Sequence, residues 1–174
     1  LVEPSVYFSC PVHNCIHREV IGWNGVLMQT SRASDEARSE FLCSADSWFR
    51  PTAIRTGPDG GMYVADMYRL VIEHPKWIDD TLEREMIAEN RLRAGHDLGR
   101  IYRILPGNVP AKRPINLASL SPAALARALD SPNGWLRDTV HMMLTWLADD
   151  ARKVAVKPLR DILLRSAHAA ARAQ

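Results

Sequence analysis

The chain has 174 residues, 47% of them hydrophobic and 24% charged, with a formal net charge of +2. That balance is ordinary for globular protein and fits one domain or two small ones. The weak charge and the absence of any basic run argue against nucleic acid as a partner, and no apolar run reaches membrane-span length. No signal-peptide pattern is present. The first residue is Leu1, and Arg172-Ala173-Gln174 falls inside a helical pattern without a stop signal. The expectation is a piece of a longer protein.

Residues 1–28 read as strand, loop, strand. Val6-Tyr7-Phe8 is a short β-type run, Gly22 to Gly25 is turn chemistry, and Val26-Leu27-Met28 is a second short strand. Between them, Cys10, His13, Cys15 and His17 spell Cys-x2-His-x-Cys-x-His. Tetrahedral zinc sites use well-separated ligand pairs. These ligands are crowded, and strand alternation sends neighbours to opposite faces. No metal is therefore assigned. The three cysteines, Cys10, Cys15 and Cys43, do not read as a disulfide framework. Cys-x-x-Cys-His is absent, so no covalent haem belongs to this chain.

Residues 29–47 are polar and read as a solvated loop with one helical turn, followed by a short strand at Phe41-Leu42-Cys43. The clearest local signal follows. Thr52–Thr56 and Gly61–Ala65 are β-favouring runs around Gly57-Pro58-Asp59-Gly60. Pro58 presets φ, and Asp59-Gly60 suits a tight reversal. Directly after this hairpin come Asp66, Tyr68, Arg69, Glu73 and His74. Such a group is either a surface network of paired charges or a site carried on a rigid strand. Arg50, between Phe49 and Pro51, is likewise either a stacked structural arginine or one aimed at an anion.

Asp79-Asp80-Thr81 offers caps for a helix of about three turns, with Leu82, Met86 and Ile87 as a narrow apolar stripe. Gly99 to Leu105 alternates as a strand. Pro106 to Pro114 is proline-rich, and residues 107–118 are read as a linker. Three helices are then expected. The first has Ser121-Pro122 at its start and Leu125, Ala128 and Leu129 inside. The second opens at Asn133-Gly134, with Leu136, Val140, Met143 and Leu147 on one face, widened by Trp135, Met142 and Trp146. Arg137, His141 and Thr145 mark its exposed side. The third runs from Ala155 to Ser166, with Pro158 near its start and Leu159, Ile162 and Leu163 as its apolar residues.

Phe49-Arg50-Pro51, Gly57-Pro58-Asp59-Gly60, Tyr63 to Arg69, Glu73-His74-Pro75 and Gly99 to Ile104 together resemble the last propeller blades of the membrane-bound dehydrogenase family of planctomycete-type bacteria. Pro11 to Asn14 with His17-Arg18 resembles that family's motif preceding this blade. The family is similar to the soluble glucose and sorbosone dehydrogenases that use pyrroloquinoline quinone. The resemblance implies a β + α two-part fragment: closing blades of a β-propeller at 1–106, then HEAT-like α-helical repeats, truncated, at 119–174. It implies an exported, periplasmic or envelope-associated parent. Further propeller blades, further HEAT repeats and a haem c segment or electron-acceptor cytochrome would lie outside this chain.

On that resemblance, the chain is a fragment of an oxidoreductase acting on a sugar or alcohol, inactive alone. Hydride abstraction needs a base, and the cofactor's carboxylates need cations. His74 or His13 is the candidate base. Arg50, Arg69 and Arg100, with Tyr68, are the candidate cofactor contacts. Asp66 either orients an arginine or histidine, or binds a cation with Asp59. The alternative is a non-catalytic interaction or carbohydrate-binding module. Geometry separates the two: catalytic side chains converge on an open cavity, whereas structural ones pair off and are covered.

Overall fold

The computed structural model describes residues 4–72, 77–107 and 113–174. It is a mixed β and α structure that divides into two compact units. One comprises Leu1–Arg55 and Tyr63–Ile104, the other Thr56–Met62 and Leu105–Gln174.

The first unit opens with β1 (Ser5–Cys10), β2 (Cys15–Asn24) and β3 (Leu27–Arg32), joined as consecutive antiparallel hairpins. β2 is ten residues long and runs through Gly22, where the sequence signals a turn. The reason is lateral support. β1 pairs along residues 15–20 of β2 and β3 along 19–24, so one strand is templated from both edges. The reversal falls at Gly25, whose φ of +61° suits glycine. β4 (Leu42–Cys43) joins β2 at Cys15 and Ile16, on the edge that β3 occupies further along.

Residues 33–40 are not a freely solvated loop. They contain the expected helical turn, at Ser34–Glu36. Arg18 from β2 binds Asp35 and Glu36, and Arg32 from β3 donates to the carbonyls of Glu36 and Ser39. These partners are 4 to 18 residues apart in the chain, beyond the reach of local pattern reading.

The second sheet is β5 (Pro51–Thr56), β6 (Met62–Asp66) and β7 (Arg100–Ile104), in that spatial order. The expected hairpin is present, with Gly60 at φ +82°. Its pairing continues past the strand ends: Met67 N–H donates to Arg50 O and Arg69 N–H to Trp48 O. On β7 Tyr102 and Ile104 share one face, with Tyr102 39% exposed and Ile104 half-buried. With Phe49, Val64, Leu42 and Cys43 they line an apolar recess of about 290 Å³. Ile101 is exposed. Helix α1 (Asp80–Ala88) is capped by the Asp79 side chain, as its sequence predicts, but buries none of its residues. Leu82 and Ile87 of the expected stripe are exposed.

In the second unit α2 (Pro122–Ala128), α3 (Gly134–Thr145), α4 (Asp149–Arg165) and α5 (Ala169–Ala173) enclose one apolar core. Ser121 and Asn133 cap α2 and α3 as expected. The Asn133 side-chain amide also donates to the carbonyls of Gly57 and Pro58. The buried set differs in detail from the sequence reading. Ala126 replaces Ala128, and Leu144 replaces Met143 and Leu147, which are only half-buried. Trp146 is 73% exposed, and Arg137 is half-buried because it folds back onto Ser131 O.

α4 starts six residues earlier than expected, so Pro158 sits mid-helix and is buried. A mid-helix proline forfeits one backbone bond. Here Ala155 and Ile162, buried on the same stripe one turn to either side, hold the helix through it. Leu163 is exposed. Leu125, 3% exposed, lies in this core. Leu125→Ala should lower the stability of the helical unit by about 2–5 kcal/mol. Urea titration followed by far-UV circular dichroism checks this, with Leu163→Ala as a near-neutral control.

Candidate functional site

The charged residues around the hairpin converge on Asp66, the last residue of β6. Its side chain is wholly covered. Oδ1 accepts from Arg50 N–H at 2.7 Å and from Tyr68 N–H at 2.9 Å. This is an Asx-type turn that breaks the strand and bends the chain away from the ladder. Tyr68 accordingly takes φ +50°, unusual for an aromatic residue. Oδ2 is buried without a hydrogen bond, and Arg100 Nε lies 3.7 Å from it.

Arg50 makes three side-chain hydrogen bonds, all to backbone oxygens: Nε to Arg69 O at 3.0 Å, and the two terminal nitrogens to Pro11 O at 2.8 Å and Leu70 O at 3.0 Å. It thereby ties the β1–β2 reversal to the segment after β6. Asn14, in the left-handed region at φ +55°, reinforces the join. Its side-chain amide donates to Ser47 O and Phe49 O, and its carbonyl accepts from Ser44 N–H. The sequence offers Asn14 only as part of the Pro11–Asn14 motif, with no role of its own. Its chain position between Cys10 and Cys15 hinted at a turn, but its partners lie more than thirty residues away.

Arg69 N–H continues the ladder to Trp48 O, and its guanidinium donates to Arg93 O at 3.0 Å. The Arg100 guanidinium carbon sits over the Tyr68 ring, 3.4 Å from its centroid, in a cation–π contact. It also sits 3.9 Å from Asp46 Oδ2 and remains 41% exposed. Gly95 closes the group: with φ +87°, a Cβ there would lie 2.2 Å from Tyr68 O.

The expected residues thus assemble only in part. Asp66, Arg50, Tyr68, Arg69 and Arg100 form one network. His13 stands apart, its Nδ1 3.1 Å from Cys10 Sγ. His74 and Glu73 lie outside the described residues. Asp59 accepts from Gly61 N–H within its own turn. Among the described residues no group of three or more His, Cys, Asp and Glu is placed to hold a metal. The apolar recess of the second sheet is lined by none of the expected site residues.

A second cluster carries the other titratable groups. His17 lies between two carboxylates, with Nδ1 2.7 Å from Glu40 and Nε2 3.3 Å from Glu19. Arg32 binds the second Glu40 oxygen at 2.8 Å. The hydrogen bond to Glu40 holds the imidazole above its ordinary range, aided by Glu19 and opposed by burial and by Arg32. Arg32, then His17, holds Glu40 below its ordinary range. A hydrogen bond from Thr30, then His17, does the same for Glu19.

Removing the Asp66 acceptor strands two partly covered N–H groups. Asp66→Ala should therefore destabilise the first unit by about 2–4 kcal/mol, with Asp66→Asn milder because an amide oxygen still accepts. Urea unfolding followed by tryptophan fluorescence reads both. The His17 contribution has a defined pH window. Its raised value makes that contribution complete below 6.5 and lost as pH climbs through the folded-state value. The lowered carboxylate of Glu40 contributes fully above 4.5 and fades as pH falls through its folded-state value. Thermal melts across pH 5 to 9 should show stability declining on the alkaline side. His17→Gln should flatten that decline.

Residues 2–108, more than half of the chain, match a family described as "Domain of unknown function (DUF7133)". No curated protein and no solved structure matches the chain. The match runs through both β-sheets and the whole Asp66–Arg50–Arg100 network, and the chain belongs to the DUF7133 family.

Proposed function

We propose that this chain is a non-catalytic structural and binding part of a larger propeller protein. The parent resembles the quinoprotein glucose and sorbosone dehydrogenases. In this reading the two sheets are closing blades and the helices a HEAT-like repeat platform. Cofactor, base and substrate pocket come from elsewhere in the parent. One observation carries the reading: Arg50, Asp66 and Arg69, the members of the charged cluster nearest the hairpin, are bonded to main chain. Arg50 donates to three carbonyls, Asp66 accepts from two amides and Arg69 is bonded to Arg93 O. An arginine so engaged has no geometry left for a bidentate carboxylate contact.

The sheet edge supports the same view. β3 is exposed at all six residues. Trp23, Leu27 and Met28 are 60–68% exposed and Val26 is 92% exposed, all around one hairpin tip. Few monomeric surfaces present so many large apolar side chains at one point. An adjoining blade would cover them and pair the open edge.

A second reading rests on Arg100. Its ion-pair contacts are long, at 3.7 and 3.9 Å, and it is partly exposed on a fixed aromatic platform. It is the candidate for contributing one cationic contact to a quinone carboxylate in the assembled parent.

Complementation separates these readings. The chain and the remaining propeller of its parent, expressed separately, should form a 1:1 complex in sedimentation. Trp23→Glu with Leu27→Glu should weaken that complex at least tenfold, about 1.4 kcal/mol. Failure of the unmodified pair to associate counts against the blade assignment. If the complex gains quinone-dependent sugar or alcohol oxidation, and Arg100→Ala abolishes it while the complex persists, the second reading replaces the first.

A further inference from the structure

The three cysteines stand in a row across the first sheet. Cys10 of β1 is directly opposite Cys15 of β2, and Cys43 of β4 is directly opposite Cys15 from the other edge. Directly opposed residues of an antiparallel ladder point to one face, with Cα atoms about 4.5–5.5 Å apart. That spacing lies inside the range a disulfide spans. All three are free thiols. They differ in access: Cys15, in the middle, is buried, Cys10 is partly exposed and Cys43 is exposed. The Sγ of Cys10 lies 3.1 Å from Nδ1 of His13, at the β1–β2 reversal.

We propose that Cys10, Cys15 and Cys43 form a thiol–disulfide site responsive to peroxide-class oxidants, with Cys10 as the attacking thiol, Cys15 as the resolving thiol and Cys43 as the exchange partner. His13, in the tautomer protonated at Nε2, accepts the Cys10 proton at Nδ1. The thiolate attacks one oxygen of hydrogen peroxide and the O–O bond breaks. Cys10 becomes a sulfenic acid, and the departing hydroxide takes the proton as water. Cys15 sulfur then attacks the Cys10 sulfur and the S–O bond breaks. The second hydroxide leaves with the Cys15 proton, also as water. Two thiols and one peroxide thus give one disulfide and two waters. Cys43 thiolate can next attack Cys15 sulfur, moving the bridge to Cys15–Cys43 and returning a proton to Cys10, with no net redox change.

The division of labour follows from the surroundings. Burial, with Cys10 and Cys43 alongside, pushes the Cys15 thiol up to about 11, so it is a poor first nucleophile but well placed to resolve. β4 is held to β2 through only two residues. A Cys15–Cys43 bridge would lock that short strand in place and close the longer loop, the more stabilising of the two bridges.

The test is treatment of the purified chain with one equivalent of hydrogen peroxide at neutral pH, followed by thiol titration and non-reducing peptide mapping. Free thiols should fall from three to one per chain. The Cys10–Cys15 bridge should form first, and the Cys15–Cys43 bridge should grow at its expense. Dithiothreitol should restore all three. Cys15→Ala should leave a dimedone-reactive sulfenic acid on Cys10. His13→Asn should slow the first step several-fold without changing the bridges formed. The wild-type map decides the matter even if a variant fails to fold. Three unreacted thiols, or bridges only between chains through Cys43, would overturn the proposal.

Discussion

A carboxylate sealed from water must be satisfied by the protein, and Asp66 is satisfied chiefly by main chain. Its Oδ1 takes the amides of Arg50 and Tyr68, one from each side of the β5–β6 pair. This fixes where β6 ends and turns Tyr68 into the left-handed region. That turn presents the ring to Arg100 and the Tyr68 carbonyl to Gly95. The carbonyls of Arg69 and Leu70 are then brought to the Arg50 guanidinium, whose remaining hydrogen bond reaches Pro11. Each contact presupposes the one before it. Of the two Asp66 oxygens Oδ2 alone lacks a hydrogen bond, with the Arg100 guanidinium 3.7 Å from it, and the bonds made through Oδ1 and Arg50 hold the chain in one arrangement. The conformation is therefore strongly specified, even though the first unit buries few apolar side chains.

Local chemistry was legible where it is self-contained. Pro58-Asp59-Gly60 reverses the chain because its own backbone preferences demand it. Asp79, Ser121 and Asn133 cap helices because each cap binds an amide two or three residues on. What the sequence hid depends on distant partners. Gly22 is a turn residue by composition and a strand residue by virtue of Gln29 opposite it. The segment 33–40 is polar by composition but tethered, because Arg18, Arg32 and His17 reach it from two strands. Pro158 marks a helix start by propensity, yet burial of its neighbours carries the helix through it.

The candidate site was legible in membership rather than in orientation. Asp66, Tyr68, Arg69, Arg50 and Arg100 are chemically dense in the sequence, and these five do meet. Whether such a group faces a cavity or its own backbone depends on carbonyls that no side-chain pattern encodes. For Arg50 those acceptors come from positions 11, 69 and 70. Motif density alone could not separate a clamp for an anion from a staple for main chain.

This use of arginine has a general physical basis. Where strands end and the chain leaves the ladder, carbonyl oxygens lose their partners and still require donors. A guanidinium offers five N–H donors in a rigid planar fork, so one side chain can serve several such oxygens at once. Arg50, Arg32, Arg69 and Arg137 all donate to backbone oxygens at irregular junctions. Charge at these positions therefore reports the irregularity of the backbone around short strands and helix ends. Arg100 departs from the pattern: it meets the side chains of Tyr68 and Tyr102 and two distant carboxylates. Among the arginines of the Asp66 network, it is the one whose charge the backbone does not account for.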